Sequence, residues 1–248
     1  MRKITVLLAF VLMCSFVNAQ TADEIIDNYF ENIGGVDAFN ALEGIQINAK
    51  ANTQAGELPV TIIQMKDGKS ILKFELQGKE LVQMAFDGET AWAHNFMSMQ
   101  AEKSDSETTE NAKRQLADFP DALLNYKDKG YTVELMENET FEGTDCFKLK
   151  LTKLPQLVDG AEVENVVIYY FDTETFVPLG TESEIVTGPG KGMIAQTIFS
   201  DYQEVDGIYF PFSMTQGVKG MGGQAINVES IVLNPEIDDS IFAFPSEQ

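Results

Sequence analysis

The chain has 248 residues and a formal net charge of −22 at pH 7, with 39 acidic against 17 basic residues. This balance argues against a nucleic-acid binder, which needs a basic surface, and against standing attachment to an anionic membrane. It is consistent with solubility in an extracytoplasmic space.

The first 19 residues have the pattern of a secretory signal peptide. Two basic residues begin the chain, an apolar run follows, and small residues precede a cleavage position after Ala19. The apolar run is too short for a comfortable membrane span. We therefore expect residues 1–19 to be a cleaved signal peptide that directs the chain to the periplasm. Residues 20–248 are expected to form a single domain with a sizeable core.

Two cysteines bear on processing and on stability. Cys14 leaves a lipoprotein alternative open, but Met13 stands where that processing requires a small residue. Cleavage after Ala19 leaves only Cys146, so no internal disulfide is expected. A lone cysteine beside Phe147 is more often a small buried residue than a nucleophile.

Two short amphipathic helices are predicted next. Thr21 and Glu24 form a capping box, in which the side chain of each accepts a hydrogen bond from the backbone N–H of the other. Apolar residues then recur at helical spacing up to Gly34. They are Ile25, Ile26, Tyr29, Phe30 and Ile33. Val36, Phe39 and Leu42 predict a second helix, and each helix must pack its single apolar face on another layer.

From Ile45 onward apolar residues alternate with polar ones, which predicts antiparallel strands with one wet and one dry face. The clearest runs are Leu72, Phe74 and Leu76; Val82, Met84 and Phe86; and Phe147, Leu149 and Leu151. Turn signals separate the strands: Asp67-Gly68, Gln77-Gly78, Asp87-Gly88, Glu142-Gly143 and Asp206-Gly207. We expect the first two runs to share one face as a continuous apolar wall.

One helical insertion interrupts the sheet, from Ser104 to Tyr126. Its apolar residues fall at helix-like intervals: Ala112, Leu116, Phe119, Leu123 and Leu124. Pro120 predicts a break near Phe119, because proline removes a helical hydrogen bond.

An acidic stretch, FDTETFVPLGTESE at 171–184, raises the alternatives of catalysis, metal binding or turn formation. Asp172 and Glu174 lie where a turn is expected, since aspartate side chains bond nearby backbone donors. Pro178 predicts an edge or irregular start to the next strand. Glu182 and Glu184 alternate with their neighbours and are expected on the wet face. The interpretation is therefore a hairpin, and these acids should be dispensable for ligand binding.

Catalytic and metal-binding patterns are weak. His94 is the only histidine, it lies in a strand-like segment, and no G-x-S-x-G motif is present. No histidine and cysteine cluster suggests zinc, and Asp238-Asp239 lacks the spacing of a calcium loop. The glycines at 188–192 lack the spacing of a phosphate-binding loop. We expect no catalytic residue, no metal and no cofactor.

The apolar residues include ten methionines. Methionine adapts to varied apolar ligands, and with Phe74, Phe86, Phe199, Phe210 and Phe212 it makes an apolar cavity plausible. The alternative is that these residues only fill the core between sheet and helices.

Two C-terminal segments, FSDYQEVDGIYFPFSMT (199–215) and NVESIVLNPEIDDSIFAFP (227–245), resemble the outer-membrane lipoprotein-sorting proteins related to LolA. The early segment ADEIIDNYFENIGGVDAFNAL (22–42) is similar to the start of bacterial members. The resemblance implies an α+β fold with one strongly curved antiparallel sheet, a half-barrel, and helices covering its concave face. It also implies an apolar space that holds lipid chains. No functional residue of the family can be matched position by position.

Together these features predict a non-catalytic periplasmic carrier that sequesters acyl chains of lipoproteins or lipids for transfer toward the outer membrane. Candidate cavity residues are Leu72, Phe74, Leu76, Val82, Met84, Phe86, Phe147, Leu149, Phe210, Phe212 and Met214. Expected partners are an acylated lipoprotein or lipid and transient inner- and outer-membrane proteins, and we expect a monomer. The alternative is a periplasmic sensor or interaction module with the same fold and a closed core.

Overall fold

A single antiparallel sheet dominates the computed structural model, which describes residues 20–54 and 56–245. The predicted signal peptide and Cys14 lie outside these residues. The helices are α1 (Ala22–Ile33), α2 (Val36–Asn40) and α3 (Ser106–Gln115), with short 3₁₀ turns at Leu116–Asp118, Gly188–Gly190 and Asp239–Ile241. The first eight strands are β1 (Gly44–Thr53), β2 (Gly56–Met65), β3 (Ser70–Leu76), β4 (Lys79–Phe86), β5 (Ala91–Asn95), β6 (Gln100–Lys103), β7 (Thr132–Leu135) and β8 (Glu139–Phe141). The remaining six are β9 (Thr144–Val158), β10 (Ala161–Asp172), β11 (Pro178–Glu184), β12 (Ile194–Val205), β13 (Ile208–Val218) and β14 (Gly223–Leu233).

The sheet joins the two ends of the chain at its centre, where β1 pairs with β14. The strand order is β6-β5-β4-β3-β2-β1-β14-β13-β12-β11-β10-β9-β7, and β8 also pairs with β9. Every described pair is antiparallel, and the predicted turn signals lie between consecutive strands. Gln77, Glu142 and Asp206 have positive φ at these turns, each followed by a glycine.

Helix α3 shows how strongly the sheet curves. Its Thr109 hydroxyl accepts a hydrogen bond from the backbone of Ala91 in β5 at 3.3 Å, and its Asn111 bonds Leu157 in β9. Ten strand spacings separate β5 from β9 in the sheet order, which would be roughly 48 Å in a flat sheet. A ten-residue helix is about 15 Å long. The sheet therefore bends into a half-barrel, and the helices lie on its concave side.

Helix α1 fills one end of the concave side with the main core. The predicted capping box is present at Thr21 and Glu24. Ile25 and Phe30 are buried, and Tyr29 contacts Phe171 of β10 edge-on with ring centroids 5.4 Å apart. Leu149 of β9, which is completely buried, belongs to the same cluster. No helix among residues 20–54 and 56–245 is long and apolar enough to cross a bilayer.

The insertion after β6 is helical only in its first half. The sequence predicts helix-like spacing to Tyr126, but α3 ends at Gln115 and residues 119–130 form bends and turns. Leu123 and Leu124 are buried from these turns, so their spacing reflects burial and not a helix. The predicted break near Phe119 is confirmed, since the 3₁₀ turn that follows α3 ends there.

A β-bulge divides the predicted apolar wall. The register shifts between Leu72 and Lys73, so Leu72 pairs with Met84 and Lys73 pairs with Val82. Cross-strand partners share a face, and Val82 accordingly packs on the convex side with Trp92 and Phe242. The prediction that Val82 shares a face with Met84 and Phe86 is wrong, because an extra residue in one strand reverses the alternation.

The acidic stretch is a hairpin, as predicted, with one exception. Asp172 accepts hydrogen bonds from the backbone N–H of Glu174 at 2.7 Å and of Thr175 at 3.1 Å, and Pro178 begins β11 beside a bulge. Glu182, however, is only 8% exposed, so its predicted place on a wet face is wrong.

Glu182 is buried because three polar side chains surround it. Its carboxylate accepts hydrogen bonds from the Tyr170 hydroxyl at 3.1 Å, the Gln196 amide at 2.9 Å and the Lys219 ammonium at 2.9 Å. A buried charge needs such partners. Glu184, two residues along the strand, is exposed as predicted.

Cys146 and His94 have structural roles. Cys146 is completely buried, as predicted for a small packing residue, and burial raises the pKa of its thiol. The Nδ1 atom of His94 accepts a hydrogen bond from the backbone N–H of Val82 at 2.9 Å. This bond satisfies a strand donor near the point where β4 and β5 diverge.

Candidate functional site

The main cavity lies between the concave face of the sheet and the insertion. It has a volume of 580 Å³. Met84, Tyr169 and Phe199 line it from the sheet, and Leu116 and Phe119 line it from the insertion. Its walls therefore come from distant parts of the sheet and from the segment that bridges them.

A second, inner cavity of 280 Å³ lies beside the main cavity on the side of α1. Four residues line both spaces: Pro120, Asp121, Tyr169 and Phe199. Tyr29, Phe39 and Phe210 are among the residues that line the inner cavity but not the main cavity. The two cavities are thus adjacent, and two of their four shared residues, Tyr169 and Phe199, are aromatic.

Two of the predicted cavity residues line these spaces directly. Met84 lines the main cavity and Phe210 lines the inner cavity. Leu72 is the cross-strand partner of Met84, and Phe74 and Leu76 follow on the same face of β3. Leu76 is 40% exposed and Met84 38%. Leu76 and Met84 therefore expose apolar side chains on this face, and between them the ring of Phe74 packs against that of Phe96.

The other predicted residues lie elsewhere. Phe86 is buried against Ala112 of α3. Leu149 is sealed in the main core, with Phe147 and Phe212 packed against it. Met214 of β13 is half-buried beside Phe199, its partner on β12. The sequence alone could not show which of the predicted cavity residues lie beneath helices and which lie beside open space.

Asp121 is the acidic group at the junction of the two cavities. Its carboxylate accepts hydrogen bonds from the Tyr29 hydroxyl at 2.9 Å and from the backbone N–H of Leu123 at 2.7 Å. Burial raises the pKa of Asp121, against the opposing effect of these bonds. The Lys129 ammonium bonds the backbone carbonyl of Asp121 at 2.7 Å, and burial lowers the pKa of Lys129.

Asp118 is a second acid in the lining of the main cavity. Its two carboxylate oxygens accept from the Tyr131 hydroxyl at 2.8 Å and from the Lys153 ammonium at 2.7 Å. Burial, and next the charge of Asp118, raises the pKa of Tyr131 well above its usual range. Asp118 thus ties the insertion to β9.

Tyr169 places a free hydroxyl at the same junction. Its ring stacks on Phe171 with centroids 5.9 Å apart. Within residues 20–54 and 56–245 the hydroxyl forms no hydrogen bond, and it is not sealed from the cavities. Burial raises the pKa of Tyr169, so it stays protonated.

Sequence reasoning missed Tyr169, Asp118 and Asp121. Tyr169 lies in an aromatic run of β10. The alternation along the strand predicts which face of the sheet it is on, but not which residues it contacts. The one available signal for the acids is their position beside Phe119-Pro120, where two carboxylates flank apolar residues. Their burial depends on how the insertion folds back.

A separate notch of 600 Å³ opens where β10 diverges from β11. The two strands pair only from Ile168 to Phe171 on β10. Lys150, Glu164, Glu182 and Glu184 are among the residues that line the notch. Valine and isoleucine side chains, such as Val166 and Ile194, line it as well, but it lies apart from the insertion and α1. Among the described residues, no group of acids, histidines and cysteines is arranged to hold a metal ion.

The sequence matches no protein-family model and no curated protein. The fold matches the crystal structure of a LolA superfamily protein from Nitrosomonas europaea, with a TM-score of 0.56 and 16% identity over 91% of this chain and 98% of that one. The chain has a LolA-like fold. The curved open sheet and the helices on its concave side agree with the fold class that the sequence resemblance implies.

Two further solved structures are less similar to this LolA-like chain. A domain assigned to outer membrane lipoprotein sorting from Vibrio parahaemolyticus gives a TM-score of 0.45 at 13% identity, over 88% of this chain and 94% of that one. A DUF1329 family protein from Desulfovibrio piger gives 0.47 at 14%, over 91% and 98%. The shared property is the fold, and the ligand must be argued from the cavities.

Proposed function

We propose that the protein is a non-catalytic periplasmic carrier that sequesters acyl chains of lipoproteins or lipids for transfer toward the outer membrane. The observation that carries this proposal is the pair of adjacent cavities on the concave face, which share four lining residues. Ligand sites of small molecules usually occupy about 300–1,000 Å³ and have mainly apolar walls with a few polar groups. The two cavities together have this size; the inner cavity has a mainly apolar lining, and the main cavity combines apolar residues with polar ones such as Lys69, Gln115 and Asp118.

The uncovered surface beside the main cavity supports the same function. Leu76 and Met84 are large apolar residues whose burial would stabilise the folded chain. They nevertheless remain more than a third exposed. Exposed apolar surface beside a cavity commonly marks a binding site. A chain that leaves the main cavity past Met84 meets the apolar side chains of Leu72 and Phe74 on β3.

Burial alone can supply the affinity. Each methylene moved out of water contributes about 0.8 kcal/mol, so a single acyl chain can bind without any charged contact. The carrier therefore needs no catalytic residue and no cofactor. In this proposal the chain from residue 20 onward acts as one domain and as a monomer in the periplasm, and it exchanges its cargo with partner proteins at the inner and outer membranes.

Binding of a fluorescent palmitoyl probe tests the proposal. Met84→Gln adds a polar amide to the cavity wall and should weaken probe binding roughly tenfold, with thermal unfolding reported alongside. Met97→Gln is the matched control, because Met97 is 92% exposed in the β5–β6 turn. Equal probe affinity for both variants, or no binding by the unmodified protein, would favour a sensor or interaction module with a closed core.

A further inference from the structure

The junction of the two cavities is polar on one side and apolar on the others. Asp121 and Tyr169 lie there together with Pro120 and Phe199. The negative charge of Asp121 acts on Tyr169 strongly enough to contribute to its raised pKa. An acyl lipid that fills both cavities must therefore pass or end beside a carboxylate and a hydroxyl.

Asp121 retains acceptor capacity toward the cavity. Each carboxylate oxygen has two lone pairs, and the carboxylate accepts one bond from Tyr29 and one from Leu123. The Tyr169 hydroxyl has no partner in the described ranges and can donate or accept. The pair can bind a group that offers a hydrogen-bond donor to Asp121 and an acceptor to Tyr169.

Charge decides which ligand ends are tolerated. The charged side chains that line the two cavities are Lys69, Asp118 and Asp121. The Lys69 ammonium is already held by Asp67 at 2.7 Å and by Asp239 at 2.6 Å. No lysine or arginine in the described lining is therefore free to neutralise an anionic ligand end. A carboxylate beside Asp121 would meet a like charge with little water to screen it.

Two nearby lysines, Lys129 and Lys153, contact the acids without lining the cavities. The ammonium of Lys129 bonds the backbone carbonyl of Asp121, and that of Lys153 bonds Asp118. Neither lysine belongs to the lining of the two cavities. Their charges partly offset those of the acids, but the acids, and not these ammonium groups, line the ligand space.

We propose that the cavity junction selects acyl lipids whose buried polar end carries a hydrogen-bond donor and no negative charge, and that it rejects free fatty acids. The primary amide of an acyl chain satisfies both Asp121 and Tyr169, whereas the carboxylate of the same chain lacks the donor and brings the wrong charge. This inference rests on the proposed carrier function and specifies its ligand class.

The matched ligands palmitamide and palmitate test the inference by displacement of the fluorescent palmitoyl probe at neutral pH and submicellar concentration. The unmodified protein should bind palmitamide roughly tenfold more tightly than palmitate. Asp121→Asn should shrink this ratio by improving palmitate binding. Asp128→Asn is the control, because Asp128 is an exposed acid of the same insertion that lines neither cavity.

The outcomes separate the two proposals. Equal affinities for palmitamide and palmitate in the unmodified protein overturn the selectivity and leave the carrier function standing. An unchanged ratio in a folded Asp121→Asn variant also overturns the role of Asp121. Failure of the probe to bind the unmodified protein overturns the carrier function itself. Because the ligand ratio is measured first on the unmodified protein, the test does not depend on the stability of any variant.

Discussion

At the scale of single residues, the buried Glu182 and the half-buried Asp121 differ from the exposed acids that give the chain most of its charge. Asp121 lies at the cavity junction with a raised pKa, and Glu182 lies on the convex side among three donors. Alternation of apolar and polar residues assigns an acid to a face, but burial depends on partners from other strands. The sequence therefore could not distinguish Glu182 from Glu184.

Asp121 should make stability depend on pH in a defined direction. Its folded pKa lies above the unfolded value of about 3.9 because burial disfavours the charged form. The stability it contributes is fully present below the unfolded pKa and is lost as pH rises through the folded pKa. In the unmodified protein the melting temperature should therefore fall as the pH rises from the unfolded to the folded pKa of Asp121. Asp121→Asn should flatten this fall, as measured by calorimetry. A fall as steep as in the unmodified protein would show that Asp121 is not destabilised by burial. The titratable groups whose charges or hydrogen bonds act on Asp121, or on which Asp121 acts, are Tyr29, Asp118, Lys129, Tyr169 and Tyr202.

Glu182→Ala should destabilise the protein by about 1–3 kcal/mol, because it leaves the Tyr170 and Gln196 donors without their acceptor. Glu184→Ala removes an exposed acid from the same strand and should change the free energy of unfolding by less than about 0.5 kcal/mol. Urea denaturation of both variants makes the comparison. Equal losses would mean that the buried network contributes nothing.

At the scale of elements, α3 protects an edge of the sheet. Beyond the stretch paired with β7, one edge of β9 faces the helix. The Asn111 side chain accepts from the backbone N–H of Leu157 at 2.7 Å and donates to its carbonyl at 2.8 Å. An asparagine side chain here replaces a neighbouring strand, which blunts an edge that could otherwise pair with another chain.

Asn111→Ala should loosen the insertion and expose this edge. Hydrogen exchange should rise at Leu157 and through residues 104–131, because two backbone groups lose their partners. Lys113→Ala changes an exposed residue of the same helix and should leave exchange unchanged. Equal protection in both variants would show that the insertion is held by other contacts.

Elements with a strong local signal were predictable, and those set by pairing were not. Thr21 and Glu24 are three residues apart, so their capping box can be read locally, and the same is true of Asp172 and its turn. The bulge after Leu72 depends on how β3 meets β4. Tyr169 and Asp121 come together only because the insertion crosses the half-barrel, so the sequence around Asp121 marks an unusual acid but does not indicate its neighbour.

At the scale of the whole molecule, the fold leaves space where a closed core would not. The bent sheet brings β5 and β9 to opposite sides of α3, and the helices cover only part of the concave face. Met84 and Leu76, on β4 and β3, keep exposed apolar side chains beside and beyond the main cavity. A LolA-like sheet with these cavities is the basis of the proposed carrier function.

The most direct test of that function is native mass spectrometry of the full-length chain, expressed with its N-terminal segment and purified without detergent. We expect a bound population that is heavier than the protein by the mass of an acyl lipid, and organic solvent should release this lipid. The released lipid should carry no free carboxylate at its polar end. A spectrum of bare protein alone, from material that also fails to bind the palmitoyl probe, would contradict the carrier function.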